Sequence, residues 1–494
     1  MGAIFNLEAL VFAIFLMFAG LYALFIPSFE GPDESEHCRY VQAYAENAKI
    51  HPLDPKAPFR WGYEVHHPPL YYWLVGQYAK LVGPEFHRTL TINRRQNPRF
   101  PFIRHDLPGH RFPFDAVHRG LRLLRLPSVL IGLVTFVVIC LCFRRLFPDD
   151  RATRCFLLTA AMLAPNSLQV FGTVANDGLN LLFSVAALCL ALRIVRQRAP
   201  SSALFFCTGL LISLGIVTKL TNFITLASVV TLWGVDAVGN RRLPLYVKGL
   251  VWFLLPVLVI DGPYFYHNAV TYHSPTRERV LWMLTPAFYR DSPLSVSYIL
   301  HHMARDLPSA FAADLCWQTV HLPGLSPYLF WLWLAGAVVS IAWSWRTPSL
   351  GRFFCPEPLI SIIAIFWATV FIVLANRHWG NPQIRFGWCV YPLTVMALAY
   401  LLRAIPTGYL WWRRVFCLGA VLFAVAVNVH VLWTFQGFYG PGLDTHNRDY
   451  ETYLYTRVLD RHRGTTYLLF GNALKEHPKG RSRHPEKNHG VSEN

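Results

Sequence analysis

The chain has 494 residues, 54% of them hydrophobic and 15% charged, with a mean hydropathy of +0.32. A soluble domain carries roughly a quarter charged residues, so a water-soluble globular protein is excluded and a polytopic membrane protein is expected. The formal charge of +17 does not signal a nucleic-acid partner, because most cations border hydrophobic runs and read as topology signals.

A bilayer core takes about 20 mostly apolar residues per helix. In chain order, runs near 9–27, 123–143, 155–172, 178–195, 203–218, 222–238, 246–264, 326–345, 358–375, 387–402 and 414–434 meet or nearly meet that length. The predicted fold is therefore all-α, with about 11 transmembrane helices. Residues 9–27 are followed by no small-residue cleavage site, so they read as a span and not as a removable signal. Pro69–Gly83 is apolar but short and contains Gln77 and Lys80, which predicts an interfacial or re-entrant helix. The spans form one transmembrane unit over 1–435, with a first large loop at 28–120 and a second at 265–324. The tail, 436–494, is polar and expected to be disordered after about 476. The ten cysteines lack CxxC spacing. Cys140, Cys142, Cys189 and Cys207 lie in apolar runs and read as packed side chains. Cys38 and Cys316 share one face, and a disulfide between them is compatible with that placement.

The short loops sort by charge. One set holds Arg144, Arg145, Arg151 and Arg154; Arg193, Arg196 and Arg198; Arg241, Arg242 and Lys248; Arg346 and Arg352; Arg403, Arg413 and Arg414. The alternating connections hold few cations, chiefly Lys219, Arg377 and Arg385. The positive-inside rule then puts the N-terminus in the cytoplasm and both large loops and the tail outside. Arg88 to Arg111 make the first loop basic, but long loops translocate regardless of charge.

With that orientation the unusual polar residues share the outer side. The first loop supplies Asp33, Glu34, His37 and Tyr40, then Tyr63, Glu64, His66 and His67. Asn176-Asp177 opens the fourth span, Lys219 lies between the fifth and sixth, and Arg377, His378 and Arg385 lie between the ninth and tenth. Each has a bland reading. Asp33, Glu34 and Asn176-Asp177 suit helix N-termini, and Lys219, Arg377 and Arg385 suit interfacial snorkelling. His66 and His67 are adjacent and diverge on any regular element, which argues against a joint metal pair. Their common membrane side favours a site, since ionisable groups at a membrane are costly unless used. Acids in one loop and isolated cations in others suit deprotonation of a hydroxyl and capture of an anionic leaving group. No Gly-rich nucleotide loop occurs, as expected for a donor reached from the membrane.

Pro-Asp-Glu at 32–34, Tyr40 and Tyr-Glu-x-His-His-Pro-Pro-Leu-Tyr-Tyr-Trp at 63–73 resemble the integral-membrane GT-C glycosyltransferases. The nearest branches are the protein O-mannosyltransferases and the lipid A aminoarabinose transferases. Asn176-Asp177-Gly178-Leu179, Gly215-x-x-Thr218-Lys219-Leu220-Thr221, Tyr266-His267-Asn268 and Arg385-Phe386 with Tyr391-Pro392 extend the likeness over roughly 8–405. The resemblance implies a polyprenyl-phosphate or diphosphate sugar donor and transfer on the extracytoplasmic face of a bacterial inner membrane. The acceptor would be an envelope glycan, lipid or protein. Asp33 would be the base and Glu34 its assistant, and the remaining polar residues named above would bind substrate. His67 departs from the pattern, standing where many relatives have Lys. No cofactor is required by this reading, and a divalent metal is compatible with it. Two competing readings are a lipid-linked glycan transporter or flippase and a non-catalytic envelope-assembly protein.

Overall fold

A computed structural model describes residues 7–29, 31–48, 50, 61–83, 114, 116–284, 292–312, 356–378, 384–396 and 410–439. Every regular element among them is helical. The chain runs α1 (Leu7–Phe25), α2 (Glu34–Ala45), a 3-10 turn (Tyr63–His66), α3 (Leu70–Val82), α4 (Ala116–Leu146), α5 (Arg151–Met162) and α6 (Pro165–Gly172). It continues with α7 (Asp177–Arg196), α8 (Ser202–Ile216), a 3-10 turn (Leu220–Asn222), α9 (Phe223–Gly239), α10 (Leu243–Pro256) and α11 (Gly262–Tyr272). Then follow α12 (Glu278–Leu284), α13 (Val296–Ala312), α14 (Pro356–Ala375), a 3-10 turn (Ile384–Val390), α15 (Tyr391–Met396) and α16 (Leu410–Tyr439).

The chain is a multi-pass membrane protein. Six described helical segments are long and apolar enough to cross a bilayer, or seven if the bent pair α5–α6 is one span. That pair turns by 58° where Pro165 opens α6, because proline suits a first helical turn but cannot continue the preceding helix. The expected span at 246–264 lies within an apolar stretch from Leu243 to Tyr272. A π turn, Val257–Asp261, follows Pro256 there and absorbs the missing amide donor. The helices at Ser202–Ile216 and Leu359–Ala375 are apolar but shorter. The expected span 326–345 lies outside the described residues, as do the end of 387–402 and the tail beyond Tyr439.

Two cores form. The larger holds the apolar faces of α1, α4, α5, α7, α8, α9, α14 and α16. In the smaller, Tyr40, Val41, Tyr71 and Tyr72 of α2 and α3 pack against Leu121 and Leu124 of α4 and Val280 of α12. The segment from Pro69 to Gly83 is thus a 13-residue helix paired with α2, too short at 1.5 Å per residue to span a core about 30 Å thick. It is tied to the bundle by the Leu70 amide, which donates to the Val217 carbonyl at 3.0 Å. One expectation needs correcting. Cys142 and Cys189 do not pack separately but form a disulfide between α4 and α7, whose close approach sets their Cα atoms 5.8 Å apart. Cys38 is a buried free thiol, and Cys316 lies outside the described residues.

Candidate active site

The site is built where α2, the Tyr63–His66 turn and α3 meet the N-terminal ends of α4 and α7. Asp33 precedes α2 with φ of 56°, a left-handed conformation that Asp tolerates better than most residues. Its carbonyl accepts from the Glu36 and His37 amides, each at 2.9 Å. Its side chain does not cap the helix; the carboxylate accepts a hydrogen bond from the Tyr63 hydroxyl. Burial pushes the Tyr63 hydroxyl well above its ordinary pKa, and the Asp33 and Glu64 charges add to the shift. Tyr63 therefore stays a neutral donor. Gly62, at φ 78°, makes this turn possible, for a Cβ there would meet Glu36 Oε2 at 2.6 Å; that same oxygen accepts from the Tyr63 amide at 3.3 Å.

Glu34, the next residue, faces the other way. Its two oxygens accept from Arg125 Nε at 2.7 Å and Nη2 at 2.6 Å, from the Phe29 amide at 3.1 Å and from the Val174 amide at 3.0 Å. Arg125 also donates to the carbonyls of Ala23, Ile26 and Pro27, and both side chains are fully buried. A carboxylate has about four lone-pair sites, so Glu34 is saturated and holds α1, α2, α4 and the segment before α7 together. Gly31 lets the chain pass Thr173 closely here, since a Cβ would lie 2.7 Å from its methyl.

A second group of residues forms one hydrogen-bonded chain. Buried Glu64 lies 3.0 Å from His67 Nε2 and 3.6 Å from His37 Nδ1, and accepts from the Tyr72 hydroxyl at 3.4 Å. His37 Nδ1 and Tyr72 share a bond of 2.8 Å, and Asn176 Nδ2 donates to the same hydroxyl at 3.1 Å. Burial holds His37 below its ordinary pKa despite the opposing Glu64 charge. Asn176 sits at the N-terminus of α7 without capping it, and its Oδ1 is buried with no hydrogen-bond partner among the described residues. Beside it, Asp177 Oδ1 pairs with Lys219 Nζ at 2.7 Å. Lys219 is 5% exposed, so it does not snorkel toward solvent. Tyr40 packs against Tyr72 with the rings tilted by 35° and centroids 4.1 Å apart, and donates to the His67 carbonyl at 3.4 Å.

His66 and His67 do not diverge as their adjacency suggests. The chain leaves the 3-10 turn at His67 in an extended conformation, which brings the rings to 4.0 Å between centroids. One ligand atom from each of Glu64, His66 and His67 then lies within 4.8 Å of the others. His66 Nδ1 is engaged with the Tyr63 carbonyl at 2.8 Å, leaving Nε2 as its ligand atom. A carboxylate and two imidazoles are a donor set that fits a divalent ion such as zinc.

The late cations are less closely joined to this group. Arg377 follows α14, and its carbonyl accepts from the Leu294 amide at 2.6 Å. Its Nε has no partner among the described residues. His378 lies edge-on to Trp282 at 6.4 Å. Arg385 lies in the Ile384–Val390 turn, and its side chain is outside the description. That turn reaches the Lys219 region through Cys389, whose thiol meets the Thr221 carbonyl at 3.5 Å. Sequence reasoning overlooked Arg125, Tyr72 and Arg277 as site builders. Arg125 stands out as a cation inside an apolar run. Nothing local marks Arg277, which donates to Asn268 at 2.8 Å and to the Val65 carbonyl at 3.1 Å, fastening the second loop to the first.

Residues 116–260 match the family model of dolichyl-phosphate-mannose-protein mannosyltransferases. No curated protein matches the sequence. Among solved structures, the chain is similar to ArnT from Cupriavidus metallidurans bound to undecaprenyl phosphate, with 14% identity and a TM-score of 0.51 over 94% of this chain and 77% of that one. It is also similar to the apo oligosaccharyltransferase of Archaeoglobus fulgidus, with 14% identity and a TM-score of 0.50, covering 95% of this chain and 60% of that one. With a helical bundle on which the first loop packs as the helix pair α2–α3, the chain has the fold of the GT-C membrane glycosyltransferases.

Proposed function

We propose that the protein transfers a sugar from a polyprenyl-phosphate-linked donor to a hydroxyl of an envelope glycan, lipid or protein at the extracytoplasmic face of the membrane, with Asp33 as general base. The observation that carries this reading is the contrast between neighbouring carboxylates. Glu34 is saturated by Arg125 and two backbone amides, whereas Asp33 is oriented by a neutral Tyr63 hydroxyl. A carboxylate held by a neutral hydroxyl can still take up a proton, whereas one saturated by a buried guanidinium and two backbone amides cannot do so without breaking that pair.

The reaction balances simply. The acceptor O–H proton passes to Asp33, the acceptor oxygen bonds to the anomeric carbon, and the bond from that carbon to the phosphate oxygen breaks. The polyprenyl phosphate leaves with the electron pair, and Lys219 supplies a positive charge near it. The solved ArnT structure holds undecaprenyl phosphate, which supports a lipid phosphate as the leaving group here. A divalent ion on Glu64, His66 and His67 would add charge stabilisation for that phosphate.

Asp33→Asn keeps the side chain's shape and removes its charge. Transfer from a synthetic polyprenyl-phosphate sugar in detergent should fall by about 10²–10⁴-fold, the usual share of a general base, with membrane expression unchanged. Near wild-type transfer would refute the assignment. Absence of transfer in the wild type with every lipid-linked sugar tried, alongside lipid movement across vesicles, would instead favour a flippase.

A further inference from the structure

Glu64, His66 and His67 fall within one short stretch of chain that proton removal by Asp33 does not use. Pro68 follows, and a residue before proline is held to extended backbone. His67 adopts that conformation, with φ of −70° and ψ of 152°, which carries its ring to Glu64. The neighbouring groups orient the set. His66 Nδ1 donates to the Tyr63 carbonyl at 2.8 Å, so the lone pair of that ring lies on Nε2. Glu64 accepts from the Tyr72 hydroxyl at 3.4 Å. An imidazole that gives its other N–H to a backbone carbonyl, beside a carboxylate that is itself hydrogen-bonded, is the outer shell of a metal site.

A plain hydrogen bond between Glu64 and His67, at 3.0 Å, is the bland account. It leaves unexplained the His66 ring, 4.0 Å from that of His67. It also leaves the local excess of negative charge, since Asp33, Glu64 and Glu36 all act on the Tyr63 hydroxyl. The three ligand atoms lie within 4.8 Å of one another. Donors about 2.0–2.1 Å from a zinc ion sit roughly 3.3 Å apart, so side-chain rotation alone closes the set. Magnesium and calcium take oxygen ligands, whereas two imidazoles and a carboxylate suit zinc. We infer that Glu64, His66 and His67 bind a zinc-class ion that fixes the Tyr63–His66 turn and its exit into α3. Binding of the ion by the chain alone stands apart from sugar transfer and does not rest on it.

The test uses the full-length protein in detergent, stripped with a chelator and titrated with zinc, cobalt or magnesium. Zinc should bind and raise Tm, cobalt should show the visible spectrum of imidazole ligation, and magnesium should do neither. His66→Ala should weaken zinc binding by at least the roughly 10–100-fold that loss of an outer-shell partner costs. The tail histidines His477, His484 and His489 remain in every variant, so only binding lost with His66 is counted. His66→Cys keeps a ligand: zinc should still bind, and cobalt should gain the near-ultraviolet charge-transfer band of a thiolate. That band reads coordination at position 66 directly, even where His66→Ala folds poorly. Equal zinc affinity in wild type and His66→Ala, magnesium binding as tight as zinc, or a His66→Cys cobalt spectrum without the thiolate band would each overturn the proposal. Zinc binding by a protein that transfers no sugar would uphold it and count only against the transfer reading.

Discussion

The two adjacent carboxylates predict opposite mutant behaviour at the scale of single residues. Glu34→Gln leaves the fully buried Arg125 guanidinium without its counter-charge, and breaking a buried pair by one partner costs about 3–5 kcal/mol. The expected outcome is a loss of folded protein, seen as a lowered Tm in detergent, with kcat per folded molecule little changed. A large fall in kcat at unchanged Tm would return Glu34 to the chemistry. Histidine sets the pH response. Burial lowers His66 from 6.5 to about 3, with the His67 charge adding to the shift, and lowers His37 in the same direction. The unfolded chain therefore takes up protons that the folded loop refuses. Stability is complete above about pH 6.5 and falls as the pH drops from there toward 3. Measured with chelator present, Tm should decline over that window, and His66→Asn should flatten the decline. A wild-type Tm that is constant over the window would refute it.

Among elements, the hairpin between α8 and α9 places the cation. Lys219 emerges where α8 ends and a 3-10 turn begins, and it is drawn inward by Asp177 at the start of α7. If it stabilises the departing phosphate, Lys219→Gln should raise the apparent donor KM about tenfold or more, because a charged hydrogen bond is worth roughly 1.5–3 kcal/mol. The same change in Asp177, to Asn, should release Lys219 and alter KM more than kcat. Unchanged kinetics in both would leave only a helix-end ion pair. The helices that hold the first loop were partly legible: α3 was expected at Pro69–Gly83 and forms at Leu70–Val82. Its pairing with α2 was not, because that depends on Tyr40, Tyr71 and Tyr72 meeting across an interface that neither helix encodes alone.

For the molecule as a whole, the charge pattern makes a prediction about sidedness. Arg193 and Arg196 lie at one end of α7 and Asp177 at the other, so the candidate site and the arginine-rich ends occupy opposite faces. Reporter fusions at Arg198 and at Gly442 should report opposite compartments, with Arg198 cytoplasmic. Reports from the same side would mean that the number of spans between them differs from the sequence reading.

Apolar run length and loop charge are one-dimensional quantities, so the sequence alone determined the membrane class and the helical fold. It also marked Asp33, Glu64, Lys219 and their neighbours as a set. It did not assign roles within that set. Asp33 and Glu34 read alike as acids at a helix start, and His66 with His67 read as a pair that should diverge. Only the tertiary structure decided between them, by bringing Arg125 across 91 positions to Glu34 and turning the chain after His66 so that both rings lie beside Glu64. A side chain's chemistry follows from which charges and donors surround it in a low-dielectric interior, and those neighbours are chosen by the packing of helices far apart in the chain.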